Sequence, residues 1–157
     1  MNSLVEKEFD ILHLTENIRR ELMDVLTDAD LVFKLPGDNP PLGELCVEMG
    51  QAQRSYIDSF KTLKQDWTYQ QPEPGMAASV EQLKKWYADL DAELDALLAG
   101  LDEQTVQTAI IERGFPAPVR VQFHIYREAL LIFYGKAACY LKAMQKPLPK
   151  QMSEWIS

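Results

Sequence analysis

Apolar residues recur every three or four positions in four long segments of the chain, and this spacing predicts four amphipathic helices. The first helix is predicted to begin at Ser3, where Ser3 and Glu6 fit a capping box. The second is predicted to begin at Pro40-Pro41 and to end near Lys64, because proline is well accommodated in a first helical turn. The predicted buried stripes are Ile11, Leu14, Ile18, Leu22 and Val25 in the first helix and Leu45, Met49, Ala52, Tyr56 and Phe60 in the second.

A long connecting segment separates the third and fourth predicted helices. The third helix follows a capping box at Ser79 and Gln82, and the fourth runs from about Pro118 to about Gln145. Residues 103–118 between them alternate weakly and are predicted to form a short strand pair or an extended crossover. The predicted buried stripe of the third helix is Leu83, Trp86, Leu90, Leu94, Leu97 and Leu101. The pattern predicts an all-α fold, a four-helix bundle with a long crossover between the third and fourth helices.

The length of 157 residues fits one domain spanning residues 1–157. The longest apolar run, residues 129–134, is too short to cross a bilayer, and the first thirty residues contain no apolar signal segment. We therefore expect no membrane association.

Cys46 and Cys139 are the only cysteines, so no disulfide framework is expected and a cytoplasmic location is favoured. Both thiols are expected to behave as small buried hydrophobic groups.

The formal net charge of −8 argues against binding of nucleic acid, whose affinity comes mainly from Lys and Arg side chains that neutralise phosphates. The charge is unevenly distributed. Residues 1–112 hold 9 basic and 22 acidic side chains, whereas residues 113–157 hold 7 and 2. The simpler interpretation is that a basic last helix helps the bundle to close, and the alternative is that it attracts a small anionic ligand or partner.

Two residues of the fourth predicted helix have the spacing of a metal-binding pair. His124 and Glu128 lie four positions apart, so both side chains can reach one ion from the same side of a helix. On a helical wheel, this side also holds Arg120, Arg127, Lys142 and Lys146. The opposite side is predicted to face the interior and holds Ile125, Ala129, Ile132, Phe133, Lys136 and Tyr140. An outward pair would need a second chain or a loop to complete a metal site, so we interpret it as a solvated or interface pair.

The middle of the fourth predicted helix raises the question of what covers it. Lys136 is predicted to point inward, where a lysine is rare unless it is paired. The polar side is interrupted by small or apolar groups, namely Leu131, Gly135 and Ala138. The helix is therefore apolar nearly all round, and such a helix is buried on both sides. We expect a homodimer contact there, or coverage by the loops at residues 33–44 or 66–78.

Two segments and the order of the helices resemble the DinB/YfiT-like superfamily of metalloenzymes. The segments are LGELCVEMGQAQRSYIDSF (residues 42–60) and GKAACYLKAM (residues 135–144), and the resemblance covers nearly the whole chain as a pattern of elements. It implies a DinB-like four-helix bundle that is often dimeric. Many members hold a divalent metal through three histidines, one on the second helix and two at HxxxH spacing on the fourth. Characterised members include thiol-dependent S-transferases and isomerases.

The metal ligands implied by this resemblance do not carry over to the sequence. The family's second helix has a Glu-Leu pair with a histidine four residues after the Glu; here the pair is Glu44-Leu45 and the histidine position holds Glu48. Matching the Tyr-Gly-Lys and Tyr-Leu-Lys segments of the fourth helix places Ala129 and Phe133 at the other two histidine positions, and sliding the match by one residue would place Glu128 and Ile132 there. We therefore expect no metal cofactor, and the alternative is a divalent metal such as Zn or Ni held by other ligands.

Three functional interpretations follow. The leading one is a DinB-like bundle that has lost the family metal site and binds a ligand or partner without catalysis. The alternative is a divergent metal-dependent thiol transferase that uses Glu48, His124 and Glu128. The third is a binder of a small anionic ligand that uses the basic fourth helix. A further hypothesis pairs Glu48 with Lys136 where the family metal would lie, and the binding candidates are Glu48, His124, Glu128, Lys136 and Tyr140.

Overall fold

The computed structural model describes residues 1–156, and four long helices make up most of it. They are α1 (Ser3–Val25), α3 (Leu42–Thr62), α4 (Val80–Gly100) and α6 (Val119–Ala143). The shorter elements are α2 (Asp28–Leu31), a 3-10 turn (Met76–Ala78), α5 (Glu103–Thr108), the strands β1 (Ile110–Glu112) and β2 (Pro116–Pro118), and α7 (Lys150–Trp155). Within residues 1–156, none of these helices combines the length and apolar character that a membrane crossing requires.

The long helices pack around a ring in the order α1, α4, α3, α6, so each contacts two neighbours. α1 and α3 therefore lie diagonally opposite, as do α4 and α6, and the chain crosses the bundle between α4 and α6 through α5 and the β1–β2 hairpin. This arrangement confirms the predicted all-α four-helix bundle with a long crossover. Of the two conformations expected for residues 103–118, the strand pair is present: β1 and β2 are antiparallel, and Ile111 is paired with Ala117.

The start and the buried face of α1 differ from the sequence prediction. Asn2 caps the helix, since its side-chain oxygen accepts hydrogen bonds from two backbone N–H groups of the first turn, whereas the Ser3 hydroxyl donates to Glu103 at 2.7 Å. Leu14 and Val25 of the predicted stripe are 48% and 36% exposed. The prediction fails because two charged residues occupy core positions, which a count of apolar side chains assigns to the surface. The buried side is formed by Leu4, Leu12, Thr15, Glu16, Ile18, Arg19, Leu22 and Met23.

α6 is rotated relative to its predicted orientation. The helical wheel places Ile132 and Lys136 inward, but Ile132 is 61% exposed and Lys136 is exposed as well. α6 packs against both α1 and α3, so its buried surface is broad and includes polar side chains such as Gln122. The polar atoms of these side chains make the buried side of α6 look less hydrophobic in the sequence, so the helical wheel selects the wrong side as the interior. The buried residues of α6 are Val119, Gln122, Phe123, Tyr126, Leu130, Phe133, Tyr134, Ala137, Ala138, Tyr140 and Leu141.

The loop between α3 and the 3-10 turn is held against the bundle at both ends. At its start, the backbone N–H of Gln65 donates to the Glu112 carbonyl at 2.8 Å, and the Gln122 side chain donates to Gln65 Oε1 at 2.6 Å. At its end, Gly43 allows the 3-10 turn to approach α3 closely, because a Cβ atom at this position would lie 1.8 Å from the carbonyl oxygen of Ala77. These contacts place the loop beside α3 and α6.

The C-terminal helix packs on the outside of the bundle against α1. Met152 of this helix is fully buried, and Ile156 packs against the core. Trp155 remains 40% exposed. The end of the chain therefore folds back onto the bundle through Met152 and Ile156 rather than through Trp155.

Candidate functional site

A cavity of about 410 Å³ lies between α3, α6 and the α3–α4 loop, residues 63–75. We name it the aromatic cavity, and its lining residues are Glu48, Gln51, Ala52, Ser55, Tyr56, Trp67, Tyr69, Gln70, Ala129 and Phe133. Its volume is in the range of small-molecule sites in proteins. Four of the ten lining side chains are aromatic and one is charged, so aromatic rings form part of the walls and a single carboxylate faces them.

The aromatic walls come from two helices and one loop. Tyr56 on α3 and Phe133 on α6 are 2% and 8% exposed, whereas Trp67 on the loop is 55% exposed. The rings of Tyr56 and Trp67 meet edge to face, with centroids 5.4 Å apart and an interplanar angle of 83°. The Tyr56 ring is backed by Tyr126, whose centroid lies 5.2 Å away. Helix packing therefore fixes two walls, and the loop contributes a third, more exposed wall.

Two cations of the protein already lie over aromatic rings of the cavity. Lys136 Nζ lies 5.1 Å from the centroid of the Phe133 ring, and Arg113 Cζ lies 5.7 Å from the centroid of the Tyr56 ring. Both distances fall within the range of cation–π attraction. Glu48, the one charged lining residue, is exposed. The cavity thus combines ring faces that attract positive charge with one carboxylate.

The three positions at which the resemblance places metal ligands all line the aromatic cavity. Glu48 reaches it from α3, and Ala129 and Phe133 reach it from α6. One carboxylate, one methyl group and one phenyl ring do not fit a divalent metal, which takes several nitrogen, oxygen or sulfur ligands from a protein. Within residues 1–156, no group of three or more His, Cys, Asp or Glu side chains is arranged to share an ion. The cavity lies at the positions where the resemblance places the metal ligands, but the residues present do not suit a metal.

A smaller pocket of about 220 Å³ contains Glu48, Lys136 and Tyr140 together. Lys136 lines this pocket from the exposed side of α6, so its predicted inward orientation is wrong. Within residues 1–156, no salt bridge of 4.0 Å or less joins Lys136 to Glu48. The Lys136 ammonium group instead lies over the Phe133 ring. The expected replacement of the metal by a buried ion pair is therefore not formed.

Tyr140 is buried, and its hydroxyl donates a hydrogen bond to the Pro40 carbonyl at 2.6 Å. Its ring also meets Phe33 edge to face, with centroids 6.4 Å apart. The loop at residues 33–44 therefore covers this part of α6. Coverage by this loop is one of the alternatives expected from the sequence. The neighbouring Cys139 is exposed, which corrects the expectation that both thiols are buried; Cys46 alone is fully buried.

His124 and Glu128 do not come together with Glu48. His124 is half-exposed, and its Nε2 lies 3.8 Å from Oε1 of Glu8 on α1. Glu8 also accepts a hydrogen bond from Arg120 at 2.9 Å. Glu128 is exposed. Because α1 and α3 contact different sides of α6, the three residues considered for a divergent metal centre are not assembled.

Two basic side chains in the last third of the chain pair with acidic side chains on other elements. Besides the Arg120–Glu8 pair, Lys146 Nζ lies 2.6 Å from Asp30 Oδ2. These two pairs join α6 and the segment after it to α1 and α2. They support the interpretation that the basic end of the chain helps the bundle to close.

A cluster of polar side chains lies inside the bundle between α1, α3 and α4, and the hydrophobic pattern does not predict it. We name Glu16, Arg19, Gln53 and Asp91 the polar core network. Arg19 is 1% exposed, and its guanidinium donates to Gln53 Oε1 at 2.6 Å and to Asp91 Oδ1. Gln53 Nε2 donates to the same Asp91 oxygen at 2.9 Å. Arg19 Cζ also lies 4.2 Å from the centroid of the Tyr87 ring, so the buried cation is surrounded by compensating groups.

Burial shifts the ionisation of the groups in and around the polar core network. Glu16 is fully buried, and burial, reinforced by the Asp91 carboxylate, raises the pKa of Glu16 to about 8. Burial opposes the charge of Arg19, but Asp91 holds the pKa of the guanidinium above its usual range. Burial also raises the pKa of Tyr126 and of Tyr134. Within residues 1–156, Glu16 Oε1 and both of these hydroxyl oxygens lack a hydrogen-bond partner.

The polar core network could have been found from one feature of the sequence. Leu12, Glu16, Arg19 and Met23 recur at spacings of four, three and four, so they fall on one line along α1. A line with apolar ends and a charged middle indicates buried charges, which need partners of opposite charge from other helices. The apolar stripe alone could not show this, because it excludes charged positions from the core by construction.

A family model of the DinB superfamily matches residues 11–129, which extend from α1 into α6 and include Glu48 and Ala129. No curated protein matches the chain. The matched residues cover well over half of the 157-residue sequence. The chain therefore belongs to the DinB superfamily, as the resemblance in the second and fourth helices predicts.

Proposed function

We propose that this DinB superfamily protein is a ligand-binding bundle without a metal centre, and that its ligand occupies the aromatic cavity. The observation that carries the proposal is the convergence of Glu48, Ala129 and Phe133 in one cavity of about 410 Å³. The family resemblance implies a metal at these positions. In this chain they provide a carboxylate, a short apolar wall and an aromatic ring, so the site keeps its position and changes its chemistry.

Binding in this cavity follows from the way its walls are held. Tyr56 and Phe133 are fixed by the packing of α3 against α6, so their surfaces are organised before a ligand arrives. Trp67 is more than half exposed, and a ligand that covers its ring removes apolar surface from water. Each Å² of apolar surface covered contributes roughly 25 cal/mol. Polar groups of the lining can orient the ligand; they are Gln51, Ser55, Tyr69 and Gln70.

The absence of catalysis is part of the proposal. Catalysis by a carboxylate needs a second acid, base, nucleophile or metal that converges with it on the substrate. The remaining polar groups of the lining are amides, hydroxyls and an indole N–H, and His124 lies on another side of α6. These contacts support binding over group transfer.

The proposal is tested by ligand-observed NMR on chelator-treated protein with a mixture of small aromatic and amine fragments. We expect several fragments to bind the wild type and to be lost in Ala129→Phe, which fills the cavity. Ala96→Phe, an exposed alanine on α4, serves as the matched control and should keep the binding. No binding to the wild type, or equal binding to both variants, would contradict the proposal.

A divergent metal-dependent thiol transferase is the second candidate, favoured by the presence of Glu48 at a family ligand position. It is distinguished by elemental analysis of protein purified without chelator. Stoichiometric zinc or nickel that disappears in Glu48→Gln would favour the transferase and overturn the metal-free site. The binding proposal expects substoichiometric metal in both proteins.

We also propose that the protein acts as a homodimer in the cytoplasm. Ile132 and Val121 on α6 are 61% and 42% exposed, and such apolar groups suit an interface between two copies of the helix. The cysteines are free thiols, in keeping with a reducing compartment. Light scattering at micromolar concentration should give twice the chain mass of 18.0 kDa, and a mass of one chain would rule the dimer out.

A further inference from the structure

We infer that the ligand of the aromatic cavity is an organic cation, a tertiary or quaternary ammonium group held against Tyr56, Trp67 and Phe133 with Glu48 as its counter-ion. The inference rests on the proposed function, because it names the ligand class for the same site. An alkylated ammonium group spreads its charge over apolar surface. It therefore loses little hydration when it moves against aromatic rings, and the rings attract its charge.

The arrangement of the aromatic rings suits a rounded cation. Tyr56 and Trp67 stand nearly at right angles, with an interplanar angle of 83°, so they form two walls of a corner. Phe133 enters from α6, and Tyr69 lies on the same loop as Trp67. Walls from several directions allow one cation to contact more than one ring, which a single stacked pair does not.

The rings of the cavity already attract cations within the protein. Lys136 and Arg113 lie 5.1 Å and 5.7 Å from the centroids of Phe133 and Tyr56. Neither cation lines the aromatic cavity. The two contacts show that the rings of Phe133 and Tyr56 accept a positive charge at cation–π distance.

The charge of the lining distinguishes an organic cation from other ligand classes. An anion would face Glu48, and no lysine, arginine or histidine lines the cavity to attract it. A divalent metal would find one carboxylate among largely apolar and aromatic neighbours. The formal net charge of −8 adds long-range attraction for a cation. A neutral apolar ligand would fit the rings but would make no use of Glu48.

The test compares two ligands of the same shape that differ in charge. Choline carries a trimethylammonium group, and 3,3-dimethylbutan-1-ol replaces it with a neutral tert-butyl group. Both are titrated by calorimetry into chelator-treated wild-type protein at low salt. We expect choline to bind about tenfold more tightly than the alcohol, since cation–π contacts and one opposite charge supply this difference.

Two variants with matched controls assign the effect to the cavity. Glu48→Gln should weaken choline about three- to tenfold and leave the alcohol unchanged, because only the charge of the carboxylate is removed. Glu44→Gln, an exposed glutamate one turn earlier on α3 and outside the cavity lining, should change neither. Trp67→Leu should weaken choline, whereas Trp155→Leu on α7 should not. Glu48 and Trp67 are exposed, so both variants are expected to fold.

The outcomes separate this inference from the proposed function. Equal affinity for choline and the alcohol would overturn the cation inference and leave a ligand-binding cavity in place. Binding of neither, while fragments still bind in a way that Ala129→Phe abolishes, would also overturn the cation inference alone. Binding of neither, together with no fragment binding, would overturn both.

Discussion

The polar core network and the aromatic cavity use charged side chains in opposite ways. In the network, Arg19 is 1% exposed, and two other helices supply its partners Gln53 and Asp91. In the cavity, Glu48 is exposed and has no salt-bridge or hydrogen-bond partner within residues 1–156. The two regions are close neighbours, since Ala52 of the cavity and Gln53 of the network are adjacent residues of α3.

This difference separates a structural role from a binding role. A buried charge must be compensated within the protein, so its partners are required for folding. An exposed carboxylate stays hydrated without a partner and is free to meet a ligand. Substitutions in the network should therefore change the free energy of unfolding, and substitutions of the exposed cavity residues Glu48 and Trp67 should mainly change binding.

The largest expected loss of stability follows from removal of the Asp91 carboxylate. Asp91→Asn leaves the Arg19 charge buried without its counter-ion, and breaking a buried pair in this way costs about 3–5 kcal/mol of the free energy of unfolding. Urea denaturation measures the difference. Asp89→Asn, which removes an exposed pair with Lys85 on the same helix, is the control and should cost less than about 1 kcal/mol. Similar losses in both variants would contradict a special role for the buried pair.

The next effect is a dependence of stability on pH through Glu16. Burial raises the pKa of Glu16 to about 8. The Glu16 carboxyl group therefore stays protonated in the folded protein over a pH range in which it is ionised in the unfolded chain. The contribution of Glu16 to the free energy of unfolding is fully present below about pH 4.5 and is lost as the pH rises to about 8.

Glu16→Gln keeps a neutral side chain at every pH and should remove this loss. We expect the free energies of unfolding of wild type and variant to diverge by on the order of 3 kcal/mol between pH 5 and pH 8, with the variant relatively more stable at pH 8. Urea denaturation of both proteins at the two pH values measures this, with Glu81→Gln on the surface of α4 as the control. Parallel pH profiles for wild type and Glu16→Gln would show that Glu16 titrates normally.

A smaller effect is expected where the α3–α4 loop is attached to α6. Gln122 donates to Ser59 Oγ at 2.8 Å and to Gln65 Oε1 at 2.6 Å, and it accepts from Arg113 at 2.7 Å. Gln122→Leu removes these hydrogen bonds and leaves the buried Gln65 Oε1 without this donor, so we expect a loss of about 1–3 kcal/mol and weaker binding of ligands that contact the loop. Gln104→Leu, at an exposed position on α5, should change neither quantity. Unchanged ligand affinity in Gln122→Leu would show that the loop position does not matter for the cavity.

The smallest expected change in stability is that of Glu48→Gln. An exposed carboxylate without a partner contributes little, so the free energy of unfolding should stay within about 0.5 kcal/mol of the wild type. Urea denaturation and calorimetry on the same samples measure stability and ligand affinity together. A loss of more than about 1 kcal/mol in the free energy of unfolding would show that Glu48 contributes to folding, and it would contradict a role in binding alone.

The sequence predicted the helices of both regions better than the orientation of their side chains. Periodicity located all four long helices, because apolar spacing reports directly on helix length. The orientation of α6 was wrong, because Gln122 and Tyr126 are polar or amphipathic side chains that the fold buries with partners from distant segments. Such partners come from tertiary packing and leave no local signal.

The candidate site was partly predictable for a similar reason. Matching the helix segments to the family pattern singles out Glu48, Ala129 and Phe133, and these three residues line one cavity in the structure. Trp67 was missed, because it lies on a loop whose course depends on the attachment of Gln65 to Glu112 and on the close approach of Gly43 to the 3-10 turn. An apolar residue in a loop carries no periodicity from which its position could be inferred.

The most direct test of the metal-free ligand site uses the indole N–H signals of the three tryptophans in a ¹H–¹⁵N NMR spectrum of chelator-treated protein. Trp67 lines the aromatic cavity, whereas Trp86 packs against Gly50 and Trp155 lies on α7. Addition of choline or of a bound fragment should shift the Trp67 signal, assigned with Trp67→Leu, and leave the other two in place. A Trp67 signal that moves only when zinc or nickel is added, or not at all, would contradict the account.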